Sequence, residues 1–168
     1  SQFVSTSVAL ILYVAPKAIW ADEFNVDGAP DATKWAYDLG TGDWGWGNNE
    51  AQYYTNRAEN VKVLNGKLII TPIKESYLGS NYTSARIKTQ GKFSFKYGKV
   101  EIKAKLPLGG GTWPALWMLG SNITTASWPA CGGPQARARG QGHAGQSAGG
   151  PVALPAAARE VLNPRAGF

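Results

Sequence analysis

The chain has 168 residues, a length that favours one domain, and 17 basic against 11 acidic side chains give it a net charge of +6. Seven Trp, seven Tyr, five Phe and 21 Gly against a single Met point to an all-β protein with tight turns and aromatic surfaces, and away from a helical bundle. The charge forms no basic stripe interleaved with aromatics, so the chain is read as binding no nucleic acid; one Cys, Cys131, and one His exclude an internal disulfide and a zinc cluster.

Residues 8–15 (VALILYVA) form an apolar run of the length of an export-signal core, too short to span a membrane as a helix. Residues 1–17 therefore read either as the remnant of an export signal or as a buried first strand. The first reading makes the protein secreted, with no stable membrane association.

From residue 18 to residue 118 short strands recur at about 8–12 residue spacing between turn residues, the pattern of a sandwich or barrel. Residues 43–54 (DWGWGNNEAQYY) crowd two Trp, two Asn, a Glu and two Tyr around glycines, a mixture poor for a dry core and suited to a groove rim. Residues 60–72 (NVKVLNGKLIITP) predict a hairpin, with Val61 and Val63 alternating, Asn65-Gly66 as a type I′ turn, and Leu68 and Ile70 resuming the alternation.

Residues 82–89, 92–95 and 99–106 are β-branched or aromatic at alternate positions, with Gly91 and Gly98 at the breaks, and predict successive antiparallel strands. Arg86 lies inside the first of these, where composition alone puts it on the solvent face. Residues 107–112 (PLGGGT) are a Gly-rich loop, but no Lys-Ser/Thr pair follows, so it is not a phosphate loop.

A strand over residues 111–119 (GTWPALWML) sets Trp113, Ala115 and Trp117 on one face. Two indoles on one face either stack on the apolar faces of sugar rings or fill a core. Beyond Gly132 the composition breaks: 24 of the last 36 residues are Ala, Gly, Pro or Arg. Such a stretch buries too little to offset its ordering entropy, so residues 133–168 are expected to be disordered, with at most a short helix over 156–162.

DEF at Asp22, GWGNNEAQYY from Gly45, SARI from Ser84, YGKVEIKAKLPLGGGTWPALWMLG from Tyr97 and WPACG from Trp128 follow one another in order. Residues 18–132 thereby resemble the first half of a laminarinase-type endo-β-1,3-glucanase of glycoside hydrolase family 16. The resemblance implies a concanavalin-like β-jelly-roll sandwich, incomplete here, with a glucan cleft across its concave face and retaining hydrolysis of internal β-1,3 bonds. It also implies substrate-binding positions at Asn48, Glu50, Arg86, Trp113 and Trp117 with Tyr53 nearby, a β-1,3-glucan partner, no required cofactor, and a structural calcium near Glu23. Agar, mixed-linkage glucan and xyloglucan are alternative substrates in the family, and GTWPALWML leans toward laminarin.

Retaining hydrolysis needs two carboxyl groups about 5–5.5 Å apart. Members of the family carry them on one strand as Glu-x-Asp-x-x-Glu, or a form one residue shorter, just after a stretch like WPACG. Here Gly133-Pro134-Gln135-Ala136-Arg137-Ala138 follows, no Asp or Glu occurs between Glu101 and Glu160, and no catalytic residue can be assigned. Glu101 alternates with Val100 and Ile102, which suits a solvated position better than a catalytic one. The chain is thus expected to lack turnover alone, as an incomplete hydrolase or, alternatively, as a β-glucan-binding protein. The sequence leaves its oligomeric state open.

Overall fold

Five strands form the largest sheet, in the order β1 (Ala36–Asp38), β7 (Arg86–Lys88), β12 (Ala156–Leu162), β9 (Thr112–Met118) and β10 (Gln135–Ala136), and every neighbouring pair is antiparallel. In a second sheet β2 (Tyr53–Tyr54) runs parallel to β6 (Ser80–Ser84), which pairs antiparallel with β5 (Ile73–Tyr77). Two antiparallel pairs complete the set: β3 (Val61–Val63) with β4 (Leu68–Ile70), and β8 (Gly98–Ala104) with β11 (Gly142–Ala148). This computed structural model describes residues 18–96, 98–107, 112–126, 130–131, 135–136, 142–148 and 156–162. Residues 1–17, read above as an export-signal remnant or a first strand, lie outside the described residues. Among those described, no helix is long and apolar enough to cross a membrane.

The two-residue period of the SARIK text divides the sheet into two faces. Ala85 and Ile87 are fully buried and pack with Trp35 and Val61, and Trp20, Phe24, Tyr37, Leu68 and Ile70 surround them. Burying each large apolar side chain there contributes about 1.5–3 kcal/mol. The alternate residues Arg86 and Lys88 lie on the other face, with Asp38 directly opposite Arg86 on β1. The DEF text serves the core. Asp22 accepts from the Trp35 indole Nε1 at 2.7 Å and from the Phe24 amide at 3.1 Å, which holds Trp35 and Phe24 stacked with ring centroids 6.1 Å apart.

The expected hairpin is present: Val61, Lys62 and Val63 face Ile70, Ile69 and Leu68, and Asn65 and Gly66 take the paired positive φ of 52° and 69° that a type I′ turn needs. The strands expected over 99–106 and 111–119 are β8 and β9.

Three expectations change. Residues 82–89 are not one strand, because pairing breaks at Ala85 and hands the chain from β6 in one sheet to β7 in another. Residues 92–95 form no strand: the amides of Lys92 and Phe93 turn back onto the Thr89 carbonyl, and Phe93 stacks between Trp20 and Phe95. Residues 156–162, where at most a short helix was expected within a disordered tail, are a strand, since the backbone there pairs on both sides, with β7 and with β9. Of the tail 133–168, expected to be disordered, the described residues are the strands β10, β11 and β12. The rest of the tail lies outside the described residues.

A polar network ties the second sheet to the β3–β4 hairpin. Asn60 is fully buried, donates to the Thr71 carbonyl at 3.1 Å and to Thr83 Oγ1 at 2.9 Å, and accepts from Thr55 and Arg57. Arg57 also pairs with Glu75 and lies over the Tyr77 ring, 4.6 Å from its centroid. The hydrogen bond from Arg57, and then that from Thr83, hold the Glu75 carboxyl below the usual glutamate range. A lowered carboxyl contributes stability that is complete above its unfolded value and is lost as pH falls through the folded one. Urea titrations in steps down from about pH 4 should show the wild type losing stability faster than Glu75→Gln; equal acid slopes would remove Glu75 from the account.

Candidate functional site

The loop Gly45–Asn49 precedes the buried carboxylate of Glu50 and brings Trp46 over the polar face of β7. Trp44, Trp46 and Asn49 have positive φ of 54°, 56° and 56°, and Gly45 and Gly47 of 57° and 75°. Bulky side chains rarely adopt this region, so the loop is held by its contacts. A Cβ at Gly45 would stand 2.4 Å from the Glu50 amide nitrogen, and one at Gly42 would stand 2.4 Å from the Trp46 ring. Only glycine permits these approaches.

Glu50 braces the loop from beneath. Its carboxylate accepts from Asn48 Nδ2 at 3.1 Å, from Gln52 Nε2 at 2.9 Å and from the Tyr54 hydroxyl at 2.7 Å. Gln52 and Tyr54 are fully buried and Glu50 nearly so, whereas Asn48 is exposed at the loop tip. Tyr53 is half-buried and meets Tyr77 edge to face at 5.2 Å, on the β2–β5 side of the loop.

Arg86 is the centre of the arrangement. Composition suggested the solvent face, yet its side chain is only 12% exposed. Its guanidinium carbon lies 4.4 Å from the Trp46 ring centroid and 4.9 Å from that of Trp117, so it contacts both indoles. Its Nε pairs with Asp38 Oδ2 at 2.8 Å, and Lys88 pairs with the other Asp38 oxygen. Along β9, Trp117 is half-buried beside Arg86 while Trp113, four residues earlier on the same face, is 48% exposed. Trp44 projects from the loop at 91% exposure.

The sequence-derived residues Asn48, Glu50, Arg86 and Trp117 thus gather around one aromatic wall, with Trp113 further along β9 and Tyr53 behind the loop. Trp46, Asp38 and Lys88 were not among the candidates. Trp46 stood in a quoted motif, but Asp38 joins the site only because β1 pairs with β7, which no local pattern reveals. Glu23 is exposed, and among the described residues no three His, Cys, Asp or Glu side chains converge as a metal site requires. Its neighbour Asp22 is committed to Trp35, Phe24 and Lys34.

The wall offers indole faces, a cationic post and amide groups, which together suit an uncharged polyhydroxylated ring. It does not offer a pair of carboxyl groups along β9 and β12. In the sequence the only acidic residue after Glu101 is Glu160. Glu101 itself is exposed on β8.

The sequence signature of Glycosyl hydrolases family 16 matches residues 43–128, more than half of the chain. The chain is 54% identical over 114 residues to a β-glucanase of Rhodothermus marinus, covering 66% of this chain and 39% of that protein, so it spans about two fifths of that relative's length. A β-1,3-glucan-binding protein of Penaeus monodon is 50% identical over 50 residues, which cover 30% of this chain and 14% of that protein. Among solved structures, the laminarinase from Rhodothermus marinus superposes with a TM-score of 0.75 at 30% identity, over 86% of this chain and 85% of that one. The architecture is accordingly the β-jelly-roll that the sequence led us to expect.

Proposed function

We propose, on the premise that this chain belongs to glycosyl hydrolase family 16, that it holds a β-1,3-glucan against the wall of Trp46, Trp117 and Trp113 and does not cleave it. The names of the relatives support the ligand: one is a β-glucanase, another a laminarinase, and a third a β-1,3-glucan-binding protein. The observation that carries the reading is the wall itself, with Arg86 stacked against two indoles and two further Trp side chains open to solvent.

The chemistry of retention supports the reading of no turnover. Retention needs a nucleophile and a separate acid/base a few ångströms apart across the bond, and this chain carries no Asp or Glu from residue 102 to residue 159. The family's usual reaction, cleavage of internal β-1,3 bonds, is then a property of members with those carboxylates. That first reading is of an incomplete hydrolase; similarity to a glucan-binding protein supports a second, in which the chain is a non-catalytic β-glucan-binding protein.

One assay addresses ligand and turnover together. Laminarihexaose is titrated into the purified chain by calorimetry, and reducing ends are counted after long incubation with laminarin. Binding with no new reducing ends is the expected result. Steady release would show a catalytic pair we have not identified, and no binding at millimolar sugar would remove glucan as the ligand.

A further inference from the structure

We propose that Asn65 is a site of spontaneous deamidation, driven by the bare amide of Gly66, promoted by Lys67 and restrained by Asp27. Asn65 is the only asparagine of the chain followed by glycine. The reaction needs no enzyme. Hydroxide removes the proton of the Gly66 amide, and the nitrogen attacks Asn65 Cγ. The Cγ–Nδ2 bond breaks, and the departing nitrogen takes a proton from water to leave as ammonia. Water then opens the cyclic imide at one carbonyl or the other, giving aspartate or isoaspartate.

The structure leaves the nucleophile open. Asn65 and Gly66 form the exposed tip of the β3–β4 hairpin, and a Cβ placed on Gly66 would meet nothing within 4 Å. Among the described residues the Gly66 amide has no hydrogen-bond acceptor and the Asn65 side chain has no partner. Asp27-Gly28 is the contrast. It could close the same ring, but the Gly28 amide donates to the Val63 carbonyl at 2.9 Å, so its nitrogen is occupied.

Two contacts act on the turn in opposite directions. Lys67 Nζ donates to the Asn65 carbonyl at 3.3 Å. That carbonyl and the Gly66 N–H belong to one conjugated peptide group, so a cation at the oxygen stabilises the anion left when the nitrogen loses its proton. Asp27 Oδ1 accepts from the Asn65 amide at 2.8 Å. It pins the residue that must rotate for the ring to close, and its negative charge opposes the same anion. The product is a second carboxylate beside Asp27, and isoaspartate also lengthens the backbone of the turn that sets Val61–Val63 against Leu68–Ile70. Deamidation therefore strikes the contact that holds residues 27 and 28 to the hairpin.

The test follows the full chain during long incubation in mildly alkaline buffer, with ammonia release and tandem mass spectrometry of the peptide bearing residue 65 as readouts. Asn65 should gain about 1 Da, the difference between water taken up and ammonia lost, with isoaspartate among the products and no isoaspartate at Asp27. Asp27→Ala should react about three- to tenfold faster, as for the loss of one hydrogen bond. Lys67→Met should react about two- to threefold slower, a small effect because the contact is exposed and screened. In concentrated urea the parent and Asp27→Ala should react alike. A folded parent that gains no mass at residue 65 while the urea-unfolded parent does would show that the fold protects the turn, and would overturn the proposal. Equal rates for folded parent and Asp27→Ala would overturn the restraint, and an undiminished rate in Lys67→Met would overturn the promotion. Lys67 is exposed at the hairpin tip, so its variant decides the matter independently of whether Asp27→Ala keeps its fold.

Discussion

Asn60→Ala should lower the free energy of unfolding by roughly 3 kcal/mol, from the cost of leaving several buried polar groups unpaired at about 1–3 kcal/mol each. The amide is fully buried and makes bonds in both directions: its Nδ2 donates to the Thr71 carbonyl and to Thr83, and its Oδ1 accepts from Thr55 at 2.5 Å and from Arg57 Nη2 at 3.0 Å. Alanine removes all of these partners at once and admits no group in their place. The loss should fall on the segment where β2, β6 and the β3–β4 hairpin meet. Urea denaturation followed by fluorescence measures it, and a change under about 1 kcal/mol would mean that water enters and replaces the amide.

Trp117→Ala should have the largest effect on ligand binding, weakening laminarihexaose on the order of ten- to a hundredfold, as for a buried aromatic anchor at an interface. Trp117 offers its own face and is also one of the two indoles against Arg86, so its removal frees the guanidinium as well. Trp113→Ala should cost less, since that indole is 48% exposed and forms no part of the stack around Arg86. Calorimetric titration of the two variants gives the order directly. If Trp117→Ala binds as the parent does, the glucan lies elsewhere.

Much of this structure was legible in local patterns, and the failures share a cause. The Asn65-Gly66 hairpin was readable because a type I′ turn makes a chemical demand that those two residues meet. The turn between β5 and β6 was not, because Leu78 takes its positive φ of 44° there, a position where sequence signals favour Gly or Asn. Alternation marked residues 82–89 as extended, and they nearly all are. It carries no information on which sheet receives them, so the break at Ala85 was invisible. Residues 92–95 have a strand's composition, but Phe93 stacks between Trp20 and Phe95 instead. Strand β12 shows the reverse: an Ala-rich text with weak strand preference pairs because β7 and β9 present backbone groups on both sides.

The candidate site divides in the same way. Trp113 and Trp117 followed from period two, and Asn48, Glu50 and Arg86 from ordered motifs. What those motifs did not reveal was the contacts among them: Glu50 accepts from Asn48, Gln52 and Tyr54, and Arg86 lies against the rings of Trp46 and Trp117. Asp38, which ion-pairs with Arg86, belongs to a three-residue strand with no motif of its own.

The pairing of β1 with β7 also sets an order of events in folding. The β3–β4 hairpin closes over a few residues, and such hairpins form within about 1–10 μs. Asp38 and Lys88 instead meet across 50 positions, and long-range closure of that kind slows folding. Trp46, Arg86 and Trp117 come from three well-separated stretches of chain, so their stack cannot exist until that closure has occurred and β9 has been added. A chain emerging during synthesis therefore has its hairpins early and its aromatic wall last, and the stacked indoles report completed folding, not collapse.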